Sequence, residues 1–226
     1  MSGVLLVHGA WHGAWCWEPV VSLLPGAVTL DLPSNHGGGG FAADVAAVRA
    51  VLDEMDGPVV LVGHSYGGAV ITEAGTHPNV GHLVYLASMA LDTGETMQQN
   101  GAASDPEASA APAPRMSAGL SFADDALVVD PSVACEAFYA DCDVQPVDRL
   151  VPHPLDAFGT GITEPAWRSK PTTSVLCTQD EAIRPEVQRF FATRCGGSVV
   201  ELDASHSPML SMPARVVEII ESCHTR

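Results

Sequence analysis

The stretch Val62-Gly63-His64-Ser65-Tyr66-Gly67-Gly68, VGHSYGG, sets a serine between glycines. It follows a short apolar run, Val59–Val62, and precedes a segment of helical pattern that begins near Tyr66. Gly63 to Gly67 fits G-x-S-x-G, and a strand–turn–helix setting is the context that motif requires. The reason is steric. A very sharp turn lifts the serine hydroxyl above the sheet edge in a strained conformation, and side chains at Gly63 and Gly67 would collide as strand and helix close up. The new helix aims its first N–H groups at whatever the serine binds. A serine in an ordinary structural turn could carry the same letters, so the decision lies elsewhere in the chain.

Short apolar runs recur on both sides of this stretch. Val4–Val7, Val28–Leu32, Val59–Val62, Leu83–Ala87, Ser174–Cys177 and Val199–Leu202 read as strands of a parallel sheet buried on both faces. Helical patterns lie between them. Val45, Val48, Leu52 and Met55 give one apolar face that stops at Gly57-Pro58. Ala69–His77 follows the serine, a helix opens at Pro185, and Val216, Val217, Ile219 and Ile220 mark the last one. Trp15 and Trp17 are expected in the core, on a helix after the first loop. Such alternation predicts a doubly wound α/β sheet. It breaks between about Ala90 and Lys170, which reads as an insertion over the sheet: residues 90–170 a cap or lid, residues 1–89 and 171–226 the sheet domain. Within the insertion Ala102–Pro114 reads as a mobile loop, Ala126–Val129 as a short strand and Ser132–Ala140 as a helix.

A serine hydroxyl is a weak nucleophile and needs a base. In this order of elements an acid and then a histidine should follow, on loops after late strands. Ser174–Cys177 is followed by Thr178-Gln179-Asp180-Glu181, and Val199–Leu202 by Asp203-Ala204-Ser205-His206. His206 is the expected general base and acid. Asp180 is expected to fix its tautomer, with Glu181 the competing acid and Asp203 a weaker one. An oxyanion formed at the serine needs backbone N–H donors. Tyr66, just after the serine, is one candidate. Ala10, in the loop His8-Gly9-Ala10-Trp11 after the first strand, is the other. His8 and His64 are expected to brace loops, with side chains turned away from the pocket. Candidate pocket residues are Trp11, His12, Tyr66, Met89 and Met209 near these loops, with Phe138, Tyr139, Phe158 and Trp167 from the insertion. That apolar and aromatic set suits a small hydrophobic or aromatic substrate. Arg184 is the one arginine beside a motif, so a strongly anionic substrate is not indicated.

Composition sets outer bounds. The 226 residues carry 10 Lys+Arg against 27 Asp+Glu, a net charge of −17. Such a field repels phosphate backbones and anionic lipid, so neither nucleic acid nor a membrane is an expected partner. Six scattered cysteines without a C-x-x-C pair argue against a disulfide scaffold and a zinc site, so no metal is expected. Cys135 and Cys142, seven apart, could meet on one helix face, but buried or free thiols are the simpler expectation. The run His36–Gly40 lacks the lysine of a phosphate-binding loop. Val4–Val7 is too short for a signal peptide or a span and no basic segment precedes it, so the expected location is cytoplasmic.

Taken together, LLVHGAWHGAWCWEPV, LVGHSYGGAV, TQDEAIRPEVQ and ASHSPMLSMPARVVEII resemble the α/β-hydrolase superfamily. More narrowly, they are similar to the small bacterial esterases and the plant methylesterase and hydroxynitrile lyase branch. The resemblance covers nearly the whole sheet domain and touches the insertion only loosely, through CEAFYADC. It implies an α/β-hydrolase fold with a sheet of about six mostly parallel strands, flanked by helices and carrying an inserted cap. It implies Ser65, Asp180 and His206 as triad and Ala10 and Tyr66 as oxyanion donors, and no cofactor. Plant lyases of this branch carry a threonine at the first oxyanion position and a lysine after the catalytic histidine; here Ala10 and Ser207 stand there. Hydrolysis of a small-molecule ester through an acyl-enzyme is therefore the expectation. A lyase-like or other non-hydrolytic activity, or a ligand-binding protein on the same fold, are the alternatives. Ser65 argues against relatives with an aspartate nucleophile. A homodimer is compatible with the sequence.

Overall fold

The computed structural model describes residues 3–99 and 105–223. Six strands form the central sheet: β1 (Gly3–Val7), β2 (Val28–Thr29), β3 (Val59–His64), β4 (Val80–Leu86), β8 (Thr172–Cys177) and β9 (Ser198–Leu202). Their spatial order is β2-β1-β3-β4-β8-β9, and every pairing is parallel. The other three strands, β5 (Leu120–Ala123), β6 (Ala126–Val129) and β7 (His153–Pro154), form a small antiparallel sheet between β4 and β8. The helices are α1 (Glu18–Leu23), α2 (Phe41–Asp53), α3 (Tyr66–Ala74), α4 (Pro106–Ala110), α5 (Pro131–Phe138), α6 (Leu155–Gly159), α7 (Pro185–Cys195), α8 (Pro208–Ser211) and α9 (Pro213–Ser222).

Alternate residues of the buried strands divide between two cores, as the period of a strand dictates. Leu5, Val7, Leu61, Leu83 and Tyr85 face α2, α3 and α7 through Val48, Leu52, Ile71 and Phe191. Val4, Leu6, Val62, Val84, Leu86 and Val175 face α1 and α9 through Val20, Val216, Ile219 and Ile220. Both faces are thus covered, which is why these strands read as unbroken apolar runs. Trp17 is buried in the second core, whereas Trp15 is half-buried under the Arg149 guanidinium at 4.6 Å. Both tryptophans lie in a 3₁₀ turn, Ala14–Trp17, that leads into α1.

Three local readings change. The second strand is two residues long, not Val28–Leu32, because β2 is an edge that pairs only through Val28 and Thr29. The chain beyond it is held by side chains: Leu32 N–H donates to His8 Nε2 at 3.0 Å, and Asp31 accepts from Ala14 N–H at 2.7 Å. The helix after the serine ends at Ala74, where Gly75 N–H closes on Ile71 and Pro78 follows. Of the expected loop Ala102–Pro114, residues 102–104 lie outside the described residues. The remainder contains α4, whose N-terminus is capped by Asp105 accepting from Glu107 and Ala108 N–H. Cys135 lies on α5 and Cys142 beyond its end, and neither is in a disulfide. Among the described residues no helix is long and apolar enough to cross a membrane.

Candidate active site

Ser65 joins the end of β3 to the start of α3 with φ 52° and ψ −121°. A non-glycine residue held there stores on the order of 1–3 kcal/mol and persists only where its surroundings enforce it. They do. Ser65 N–H donates to Leu86 carbonyl at 3.1 Å, and its own carbonyl accepts from Ser88 Oγ at 2.6 Å and Gly68 N–H at 2.9 Å. A Cβ on Gly63 would sit 2.5 Å from Gly67 carbonyl oxygen, and one on Gly67 would sit 2.7 Å from the carbonyl oxygens of Val7 and His8. A Cβ on Gly68 would overlap Ser88 Oγ, and one on Gly9 would come within 2.9 Å of Ser65 Cβ. The turn thus depends on four glycines, two more than the motif names.

Loops after β8 and β9 bring Asp180 and His206 together. His206 Nδ1 lies 2.8 Å from Asp180 Oδ2, both side chains buried. An N–H donated from Nδ1 leaves Nε2 as the ring's acceptor. Asp180 Oδ1 accepts from Ala182 and Ile183 N–H at 2.7 and 2.8 Å, and Oδ2 accepts also from Gln188 Nε2 at 2.8 Å. A carboxylate so supplied with donors is held in one orientation. Glu181 instead pairs with Arg184 at 2.9 Å, and Asp203 accepts from Gln179 and Thr178 near the surface. Neither competing acid is the partner of His206 here. Gln188 escaped the sequence reading, although a polar residue three positions before the buried Phe191, on the inward face of α7, is a visible signal. Its Oε1 also accepts from Cys177 N–H at 3.0 Å, tying the acid loop to the end of β8.

Among the other histidines, His8, His12 and His64 are buried and bonded to backbone near the site. His8 Nδ1 is 2.8 Å from Gly9 carbonyl, and burial pushes its pKa down to about 4. His64 Nε2 donates to His206 carbonyl at 2.8 Å and so fixes the loop that carries His206; burial holds this ring far below the usual range. His12 bridges Ala10 carbonyl at 2.9 Å and Tyr139 Oη at 2.8 Å, and burial pushes it down to about 3. The first loop is itself strained, with Trp11 at φ 62°. Trp11 is gripped by residues that lie between β4 and β8 in sequence: Nε1 donates to Leu127 carbonyl at 2.9 Å, and its own carbonyl accepts from Val151 N–H at 3.0 Å. The Tyr66 hydroxyl turns the other way and donates to Asp44 at 2.6 Å, with burial raising both groups' pKa values.

Ser65, Ala10 and Tyr66 border a cavity of about 720 Å³. Trp11, Met89 and Phe158 line it as the sequence suggested, joined by Met97, Met116 and Ile183. His12, Phe138, Tyr139, Trp167 and Met209 do not line it. Tyr139 is spent on His12, and Phe138 packs between the rings of Trp11 and His206. Trp167 Nε1 donates to Leu91 carbonyl at 2.9 Å, and Met209 is buried in the opposite core. Arg184 reaches the lining but is committed to Glu181 and to the carbonyls of Pro112 and Ala113.

Fold and site together define a class. Residues 4–219 match the family model of the alpha/beta hydrolase family, and the chain belongs to that family. It is a carboxylic ester hydrolase by class. A probable hydrolase of Phoma sp. is 30% identical over 89% of this chain and 85% of its own length. The carbendazim hydrolyzing esterase of Nocardioides sp. is 37% identical, over 43% of this chain and 46% of that protein. Among solved structures, a pyrethroid hydrolase from Sphingobium faniae superposes with a TM-score of 0.82 at 26% identity, covering 99% of this chain and 98% of the other.

Proposed function

We propose that this protein is a serine carboxylesterase for hydrophobic small-molecule esters, acting through an acyl-enzyme. The observation that carries the reading is the buried His206–Asp180 pair, 2.8 Å apart, with the His206 carbonyl bonded to His64, the residue before a conformationally strained Ser65 that borders an apolar cavity. In this reading Ser65 Oγ attacks the ester carbonyl carbon while His206 Nε2 takes the hydroxyl proton. Charge moves onto the carbonyl oxygen, towards the N–H groups of Ala10 and Tyr66. The C–O bond to the alcohol then breaks, and His206 returns the proton to the departing oxygen. A water deprotonated by His206 attacks the acyl-enzyme, releasing the acid and restoring Ser65. Asp180 orients the ring through Nδ1 and stabilises the imidazolium.

The cavity volume falls within the range of pockets for drug-sized ligands, and its walls are mostly apolar. Relatives named for hydrolysing carbendazim and pyrethroids support a hydrophobic ester of that scale. The test is Ser65→Ala assayed with p-nitrophenyl esters. Turnover should fall by about 10⁴-fold or more with circular dichroism unchanged, and a fluorophosphonate should label the parent chain but not the variant. Undiminished turnover in Ser65→Ala would overturn the reading.

A further inference from the structure

The small sheet over the cavity carries a feature the chemistry does not use. In the β5–β6 hairpin Leu120 pairs with Val129 and Phe122 with Leu127. Directly opposed residues share a face, and residues two apart on a strand share it too, so these four side chains form one apolar face. Leu120, Phe122 and Leu127 line the cavity, which makes that face its roof. The roof is anchored at Leu127, whose carbonyl holds the Trp11 indole beside Ser65. Directly across from Leu127, on β5, stands Phe122, 74% exposed and yet part of the cavity wall. A lone exposed hydrophobic residue is ordinary. One that continues a cavity-lining face out into solvent offers apolar surface to whatever leaves the cavity. Asp124 and Asp125, both exposed at the hairpin turn, would repel an anionic group there.

Resting on the ester-hydrolase reading, we propose that Phe122 is a specificity-determining residue: it seats the distal, neutral, apolar part of an ester that reaches from Ser65 past the cavity mouth. The preferred substrates are then long or multi-ring hydrophobic esters, and short esters are hydrolysed without help from this residue.

The test uses p-nitrophenyl acetate, butyrate and octanoate with Phe122→Ser and Phe122→Leu in the full chain. Phe122→Ser should lower kcat/KM for the octanoate by about tenfold, through KM, and leave the acetate within about twofold. Phe122→Leu should recover most of the loss. A second arm reads binding without chemistry: intact p-nitrophenyl octanoate should bind the Ser65→Ala chain about tenfold more tightly than the Ser65→Ala, Phe122→Ser double variant. Equal losses on acetate and octanoate, an unchanged octanoate KM, or equal binding in the second arm would overturn the proposal. So would a change of sedimentation from dimer to monomer in Phe122→Ser, which would assign the side chain to a contact between copies. Failure of the esterase reading shows differently: no ester is turned over by the parent chain, while the binding ratio still reports on Phe122.

Discussion

The floor and the roof of the cavity are built on different principles. The floor, at the ends of β1, β3, β8 and β9, holds its side chains with hydrogen bonds and its backbone in strained conformations. Asp180 accepts four bonds, Ser65 is pinned through its N–H to Leu86 and through its carbonyl to Ser88, and Ser65 and Trp11 both take positive φ. The roof is made of short strands and helices packed through rings and aliphatic chains. Phe158 lies against Trp11 at 5.7 Å and Tyr66 at 5.8 Å, and the hairpin contributes an apolar face. Directional bonds fix the atoms that react in the proposed chemistry. Non-directional packing encloses a substrate whose shape the fold does not have to dictate.

The largest effect should come from testing that asymmetry with one methyl group on each side. In the floor, Gly63→Ala puts a Cβ 2.5 Å from Gly67 carbonyl oxygen and 2.8 Å from Gly68 nitrogen, all backbone atoms that cannot yield. A loss of about 3 kcal/mol or more, with esterase activity lost in any folded fraction, is expected. In the roof, Gly159→Ala meets only the end of Gln98, 3.6 Å away, and should stay within about 0.5 kcal/mol of the parent. Urea denaturation and specific activity of the two variants make the comparison, and similar midpoints would break it.

Acid should act next. His8, His12, His64 and His153 are all buried, and burial lowers each below its ordinary 6.5, to about 4, about 3, well below, and about 3 respectively. The unfolded chain therefore binds more protons than the native one as pH falls through 6.5. Stability is fully present above that value and is lost downward through the window to the folded pKa values. Each histidine contributes a slope of roughly 1.4 kcal/mol per pH unit there. Urea midpoints should be flat between pH 7 and 8 and fall steeply between 6 and 5. A midpoint that holds to pH 5 would show that these rings are not buried neutral.

A smaller effect isolates the acid's support. Gln188→Leu leaves Cys177 N–H unpaired and takes one donor from Asp180. About 2 kcal/mol of stability should go, and kcat should drop about tenfold with little change in KM, because orientation rather than binding is disturbed. An unchanged kcat would show that Ala182 and Ile183 N–H alone suffice to orient Asp180.

What could be read in advance follows the same division. The glycine-flanked serine, the strand ends and the late histidine are local patterns with local physical causes, so β1, β3, β4 and β8 were visible from apolar runs alone. The order of elements ranks Asp180 above Glu181 and Asp203, and the fold adds the physical reason by committing Glu181 to Arg184 and exposing Asp203. Pocket membership was least legible. His12, Phe138, Tyr139, Trp167 and Met209 have pocket chemistry, but core packing asks for the same side chains. Nothing in spacing says that Tyr139 is spent on His12 or that Met209 faces the other side of the sheet. The roof strand β7, two residues long, is too short to leave a periodic signal.

The smallest expected change is the sharpest probe of the roof. His153, on β7, is fully buried, and neither ring nitrogen has a hydrogen-bond partner. Its ring meets Tyr66 edge-on at 4.6 Å, Phe158 at 5.0 Å and Trp11 at 6.2 Å, so it behaves as one more aromatic in the packing. If the roof depends on shape alone, His153→Phe keeps the ring contacts and removes the penalty of two desolvated nitrogens. Stability at pH 7 should rise by about 1 kcal/mol, and the acid slope should lose about a quarter of its steepness, one histidine of four. A fall in the urea midpoint at pH 7 would mean that the imidazole serves a polar partner such as a buried water. The roof would then share the floor's principle, held at that point by a directional bond instead of by packing.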